Sequence, residues 1–268
     1  LEEFTIVADV TSSGGETQTG RLRIPIAEAS VRGTTDALDP FVLAGTAARF
    51  DLHRTALDGA PAPGPGCWTL ARLEVPPVAD LLGPRVVWTD GVGRMATSRT
   101  PSDGVAAQLA QLREGAVVHT GQVVHGPNGT ATIRTPSLTA GAWRFRYETS
   151  DDAGRAATAV HDFVVAQPDG VAPLPLVLLP EQLHVEIGDT ARLLVGSSIA
   201  DQPMVVEILR GDELLRHEER VAGAAPRVIE VPVDDALEGG FLVEVHAIHD
   251  HRLLARRVHQ VASGDLAA

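Results

Sequence analysis

The sequence predicts an all-β protein: tandem antiparallel β-sandwiches of about seven strands each, with one insertion that carries a short helix. Three observations carry that prediction. Apolar and polar residues alternate with period two; in WRFRYET, Trp143, Phe145 and Tyr147 share one face and Arg144, Arg146 and Glu148 the other. Turn signals separate such runs, at Asp58-Gly59, Asp90-Gly91, Asn128-Gly129, Gly188-Asp189 and Gly211-Asp212. One phrase also recurs, because RYETSDDAGRAATAVHDFVVA at 146–166 closely matches VADVTSSGGETQTGRLRIPIA at 7–27.

The elements follow in order. FTIVADV (4–10) reads as a strand with Phe4, Ile6, Ala8 and Val10 on one face. Setting Phe4 over Trp143, an offset of 139 residues, brings Thr11 onto Ser150, Gly15 onto Gly154, Thr19 onto Thr158 and Ala27 onto Ala166 without a gap. CWTLARLEV (67–75) alternates again, and Cys67 reads there as a small buried hydrophobe. The stretch from about 76 to 113, with Pro76, Pro77, Pro84 and Trp88, interrupts the series as an insertion. At its end, SDGVAAQLAQLREGA (102–116) places Val105, Leu109 and Leu112 at helical spacing. Ser102 or Asp103 serves as the expected N-cap and Gly115 as the terminator. Leu174-Pro175-Leu176 follows the linker-like QPDGVAP, and MVVEILR (204–210) is more continuously apolar, as near a sandwich centre. FLVEVHAIHDHRLLARRVHQVA (241–262) is a third, looser copy of the repeated phrase, turning tightly at Asp250-His251.

Each copy opens on an aromatic, alternates, turns through small or polar residues and runs back, so each reads as the closing hairpin of a domain. The expected organisation is therefore a closing hairpin of a preceding or partial domain at 1–27, a domain with the insertion at 28–166, and a compact domain at 167–268. A lone hairpin is marginal in water, so 1–27 is expected to pack on, pair with or belong to the middle domain.

Composition excludes whole classes. The chain has 268 residues, more than one small sandwich needs. Aromatics make up only 4%, so Val, Leu, Ile and Ala must fill the cores. A net charge of −13 without basic clusters argues against nucleic acid and against anionic membrane surfaces. All 22 basic residues are arginine, which excludes a P-loop lysine and Schiff-base chemistry. No apolar run is long enough to span a bilayer, so direct membrane insertion is not expected. The single cysteine cannot form an internal disulfide. The chain starts inside a strand, as an excised fragment would.

No chemical constellation stands out. His246-x-x-His249-x-His251 surrounds a turn, and the first two have opposite parity on a strand. LVGSSIAD (194–201) lacks the Gly-x-Ser-x-Gly pattern, and its serines read as a strand end. Asp151 and Asp152 are adjacent and sit where a turn wants aspartate. Asn128-Gly129-Thr130 is first a hairpin turn. The expectation is a non-enzyme with no catalytic, cofactor-binding or metal-ligating residues and no cofactor.

The order of motifs carries a resemblance. ADVTSSGGETQTGRLRIPIAEASVR, then FVLAGTAARFDLHRTALDGAPAPGPGCWTLARLEV, then LREGAVVHTGQVVHGPNGTATIRTPSLTAGAWRFRYETSDDAGRAATAVHDFVV is similar to the macroglobulin-like domains of bacterial alpha-2-macroglobulins. LPEQLHVEIGDTARLLVGSSIADQPMVVEILRGDELL with VIEVPV resembles the domain that follows them. The resemblance implies immunoglobulin-like sandwiches serving as scaffold of an extracytoplasmic protease trap, in which a protease cuts a bait segment and becomes enclosed. It implies as partners the neighbouring macroglobulin domains of the same parent chain and, through the full-length protein, host or competitor proteases. Family members often carry a Cys-x-Glu-Gln thioester; this sequence has none, and no functional residue transfers. Arg85, Arg94 and Arg99 of the insertion would suit a trypsin-like protease if that segment were bait. The competing expectation is a cell-surface adhesive or ligand-binding array. It calls for an exposed aromatic platform, yet Trp68 and Trp143 lie on alternating strands and face cores, leaving Trp88.

Overall fold

Alternation buries one face of each strand and leaves the other wet, so paired sheets close over a shared core. A computed structural model describes residues 2–37, 41–82, 87–89, 95–97, 104–167, 172–222 and 227–264. It opens with a hairpin of β1 (Glu2–Thr11) and β2 (Thr17–Ile26). The first sandwich begins with β3 (Val31–Ala37), β4 (Phe41–Leu43), β5 (Ala47–Ala56) and β6 (Gly64–Glu74). The connection from β6 carries α1 (Val78–Leu82), β7 (Val87–Thr89), β8 (Met95–Thr97) and α2 (Val105–Ala110). The sandwich then continues with β9 (Arg113–His125), β10 (Thr130–Ser137), β11 (Gly141–Ser150) and β12 (Ala156–Ala166).

The second sandwich comprises β13 (Val177–Pro180), β14 (His184–Glu186), β15 (Thr190–Gly196) and β16 (Gln202–Arg210). Its remaining strands are β17 (Glu213–Ala222), β18 (Arg227–Pro232), β19 (Phe241–His249) and β20 (Arg252–Ser263). The sheets of the first sandwich run β10-β5-β3 and β4-β12-β11-β6-β9; those of the second run β18-β15-β13 and β14-β20-β19-β16-β17. Strand for strand these orders are the same once β7 and β8 are set aside. Each sandwich has eight strands where about seven were expected. The short β4 and β14 pair parallel, not antiparallel, with the last strand of their sandwich.

Trp143, Phe145 and Tyr147 point into the first core, where Phe50 stacks on Phe145 with centroids 4.0 Å apart. The Tyr147 ring fits between Gly33 and Gly66; a Cβ at either would stand 2.8 or 2.7 Å from it. The second core gathers Leu193, Val206, Ile208, Val243 and Val245.

Two local expectations fail for identifiable reasons. Cys67 is exposed, not buried: its neighbour Trp68 takes the inward face, and adjacent strand residues face opposite ways. The helix is also shorter than its sequence pattern. Gly104 occupies the N-cap without a side-chain bond, and the expected caps Ser102 and Asp103 lie outside the described residues. Gly115 does not end it, because β9 recruits the chain from Arg113 to pair with β6, and a 13-residue strand outcompetes another helical turn.

The repeated phrase forms three hairpins. Phe4 pairs with Ile24 in the first and Trp143 with Phe163 in the second, so the offset of 139 extends to register. It extends to the turn as well. The Gly15 and Gly154 N–H groups donate to the carbonyls of Ser12 and Asp151, both at 2.9 Å. Both glycines hold positive φ, 84° and 77°, which a side chain resists. The third hairpin turns in two residues, Asp250 and His251, with φ of 46° and 60° as a type I′ turn requires.

Among the described residues β1 and β2 pair only with each other, and Phe4, Ile6 and Val10 are more than half exposed. The equivalent stripe on β11 and β12 is covered by the smaller sheet of its own sandwich, β10-β5-β3.

Candidate functional site

The feature that distinguishes this chain from a string of loosely tethered sandwiches is the joint between them, built around α2. Six residues are too few for a stable helix in water, so α2 depends on what it touches. Val105, Leu109 and the following Leu112 turn inward. They meet Phe41, Leu73, Ala142, Val164 and Ala166 on the outer face of the first sandwich's larger sheet. From the other side come Ala172, Leu174, Val177 and Leu194, at the entrance to and on the smaller sheet of the second sandwich. One continuous apolar cluster thus contains both sandwiches and the helix.

Two arginines grip the helix. Arg144 on β11 points a guanidinium N–H at the carbonyl of Ala110, 3.3 Å away, near the negative end of the helix. It is aimed there by a bidentate pair with Asp162, at 2.7 and 2.8 Å, and that hydrogen bond raises its pKa. Arg256 on β20 donates to Gln108 Oε1 at 2.6 Å. Each sandwich therefore contributes one cation. The linker is tied down too: Ser197 Oγ donates to the Pro175 carbonyl at 2.8 Å, and the Ser198 N–H donates to that of Leu174 at 2.9 Å. These are the serines of LVGSSIAD, and they end β15 as read from the sequence. The arrangement is that of a clamp.

At the opposite end of the first sandwich lies a polar core. Arg54 is buried and donates to Thr149 Oγ1, to the carbonyls of Ala62 and Pro63, and to that of Ser150, at 2.7–3.1 Å. Beside it, His125 Nδ1 lies 2.9 Å from the Gly64 carbonyl and Nε2 2.9 Å from the Tyr147 hydroxyl. A carbonyl only accepts, so Nδ1 carries the proton and Nε2 accepts from Tyr147. Burial lowers the His125 pKa and keeps the ring neutral, consistent with that assignment.

Asp151 closes the same end. Its carboxylate accepts from the N–H and Oγ of Ser30, at 2.9 and 3.1 Å, and from the N–H groups of Ala153 and Arg155. The Ser30 N–H is foremost in holding this carboxyl well below the usual range, helped by Arg155. The group thus fastens the segment before β3 to the β11–β12 turn. A depressed folded-state pKa stabilises above the unfolded value and loses that contribution as pH falls toward the folded one. Asp151→Asn is expected to lower the melting temperature by several degrees at neutral pH. The gap from the parent should hold above about pH 5 and narrow progressively as the pH falls below about 4, towards the depressed folded value. A gap independent of pH would refute this role.

Glu207, Glu244 and His246 bring ligand atoms within 4.8 Å of one another on the outer face of β16 and β19. They are the described residues able to hold a divalent cation. The same groups form a network of ion pairs, because Arg257 pairs with Glu244 and His217 Nδ1 lies 3.1 Å from Glu207. His249 and His251 do not join His246: the first ends β19 and the second forms the turn. Asn128 and Gly129 make the β9–β10 turn, with the Thr130 N–H donating to Asn128 Oδ1 at 3.2 Å. Arg85, Arg94 and Arg99 lie outside the described residues, as does the Trp88 side chain. Nothing local in the sequence signals the Arg54 cluster, since a buried arginine satisfied by carbonyls has no pattern of its own. No described helix is long and apolar enough to cross a membrane.

No protein-family model matches the sequence, and no curated protein matches it. Among solved structures the chain is similar to E. coli alpha-2-macroglobulin in its native conformation, at 14% identity over 97% of this chain and 17% of that one, with a TM-score of 0.33. It is similar to Salmonella alpha-2-macroglobulin reacted with methylamine at 15% identity, over 97% and 17% of the two chains, with a TM-score of 0.32. The D0-D1 domain of intimin aligns at 11% identity over 85% of this chain and 97% of that one, with a TM-score of 0.30. The chain spans about a sixth of the length of the macroglobulins it matches. What these structures share with the chain is the β-sandwich fold alone.

Proposed function

We propose that this chain is a length of framework in a bacterial alpha-2-macroglobulin-like protease trap, non-enzymatic and working outside the cytoplasm. Its units are a closing hairpin at 1–27, a sandwich with an insertion at 28–166 and a second sandwich at 167–268. The observation that carries the reading is the joint: two sandwiches of identical strand order share one apolar cluster through α2. Such a joint transmits displacement instead of absorbing it. Interfaces between domains are commonly polar and permissive of motion; this one is apolar and clamped by Arg144 and Arg256. The pair then moves as one body, and rearrangement after bait cleavage is concentrated elsewhere in the parent.

The test uses the full-length parent protein mixed with trypsin or elastase. An enclosed protease keeps its activity on a small chromogenic peptide and loses it on a protein substrate, while small-angle scattering shows the parent contracting. Undiminished digestion of the protein substrate without contraction would overturn the trap and move the assignment to a cell-surface adhesive array.

A further inference from the structure

The larger sheet of the second sandwich turns Val206, Ile208, Val243 and Val245 into the core, so the residues between them face outward. Register then decides which outward residues meet. Glu207 on β16 stands directly opposite Glu244 on β19. In the same row, His217 on β17 stands beside Glu207 and Arg257 on β20 beside Glu244. His246 follows Glu244 by two residues and shares its face. Two carboxylates opposed across neighbouring strands repel each other. Arg257 neutralises one of them, but among the described residues no arginine pairs with Glu207.

These side chains converge instead of splaying apart. His246 Nε2 lies 3.1 Å from Glu244 Oε2 and 3.5 Å from Glu207 Oε2. All three ligand atoms fall within 4.8 Å of one another. A four-coordinate zinc ion with bonds of ~2.1 Å sets its ligand atoms about 3.4 Å apart, so both imidazole–carboxylate separations already suit it. The other carboxylate oxygens are held from outside. Glu244 Oε1 pairs with Arg257 Nε, and Glu207 Oε1 lies 3.1 Å from His217 Nδ1. Each carboxylate thus has one oxygen fixed by a neighbour and the other turned to His246, which is how outer partners orient metal ligands. The Glu244 side chain is 10% exposed, and those of His246 and Glu207 are 23% and 25% exposed, so solvent screens the group only in part.

We propose that Glu207, Glu244 and His246 bind one zinc ion, with His217 and Arg257 as positioning residues and the fourth coordination position open to solvent. An imidazole between two carboxylates suits a borderline ion such as Zn²⁺ better than Mg²⁺ or Ca²⁺, which prefer oxygen ligands alone. The ion braces β16 against β19, two adjoining inner strands of their sheet, and offsets the repulsion between the opposed carboxylates. Its role is structural, and it holds whether or not the parent protein traps proteases.

The test titrates ZnCl₂ into the untagged 268-residue chain after removal of metals with a chelator, read by calorimetry and by thermal melting. One zinc ion per chain should bind, and saturating zinc should raise the melting temperature by several degrees. MgCl₂ and CaCl₂ at the same concentration should shift it far less. His246→Ala and Glu207→Gln should each abolish the binding and the shift, while His217→Ala should weaken binding roughly tenfold or more. Without metal, Glu207→Gln should melt no lower than the parent, because it removes one of two opposed charges. His184→Ala, at an exposed histidine on β14, should leave zinc binding unchanged. Binding that survives both His246→Ala and Glu207→Gln overturns the proposal and marks an adventitious ion only, held by histidines elsewhere. A chain whose titration and melting ignore zinc overturns it too; a metal-free Glu207→Gln variant that then melts below the parent assigns the cluster to ion pairing alone.

Discussion

Aspartate at Leu109 should turn one unfolding transition into two. Leu109 is 1% exposed at the centre of the cluster shared by both sandwiches. Truncating such a leucine costs about 2–5 kcal/mol, and a carboxylate placed there has no cation to pair with inside the apolar cluster, so the helix would leave its seat. Arg144 and Arg256 would then lose their shared object while each sandwich kept its own core. Calorimetry should show the transition splitting, and scattering should show the radius of gyration increasing as the sandwiches separate. Leu109→Ala should do the same more mildly. If the aspartate variant melts in one step with unchanged scattering, the joint is not what couples the two units.

The second large effect belongs to Arg54. Alanine there removes four hydrogen bonds from a buried guanidinium and leaves the carbonyls of Ala62, Pro63 and Ser150, part-buried in those bonds, without their donor. Losing hydrogen bonds to a charged donor costs about 1.5–3 kcal/mol before the site relaxes. Lysine should not restore the loss, because an ammonium cannot reproduce the planar fork that reaches Thr149 and the carbonyls together. The lost contacts all lie in the first sandwich. Trp68 and Trp143 both lie in its core and the second sandwich has no tryptophan, so denaturant unfolding followed by fluorescence reports on that sandwich. An unchanged denaturation midpoint in the alanine variant would refute the role of Arg54 as a strut.

Much of the architecture is legible because it rests on period and repetition. WRFRYET declares its inward face outright, and the 139-residue offset holds for letters, register and turn hydrogen bonds alike. What escaped depends on partners distant in sequence. Cys67 is exposed because Trp68 takes the inward face and adjacent strand residues face opposite ways. The end of α2 is set by a strand partner, β6, that lies more than thirty residues earlier. Val105 and Leu109 announced a helix with one apolar side, yet nothing local says that the side is shared by two sandwiches. Arg144, Arg256 and Arg54 look alike as letters; only the fold separates a clamp from a buried strut.

The helix held between Arg144 and Arg256 also limits how such proteins diversify. Identical strand orders make the units look interchangeable, like bricks from one mould. Yet a replacement for the second sandwich would have to bring its own cation to Gln108 and its own aliphatic floor for Leu109. Recombination that respects unit boundaries would therefore tend to fail here, and the two sandwiches should be inherited as a pair.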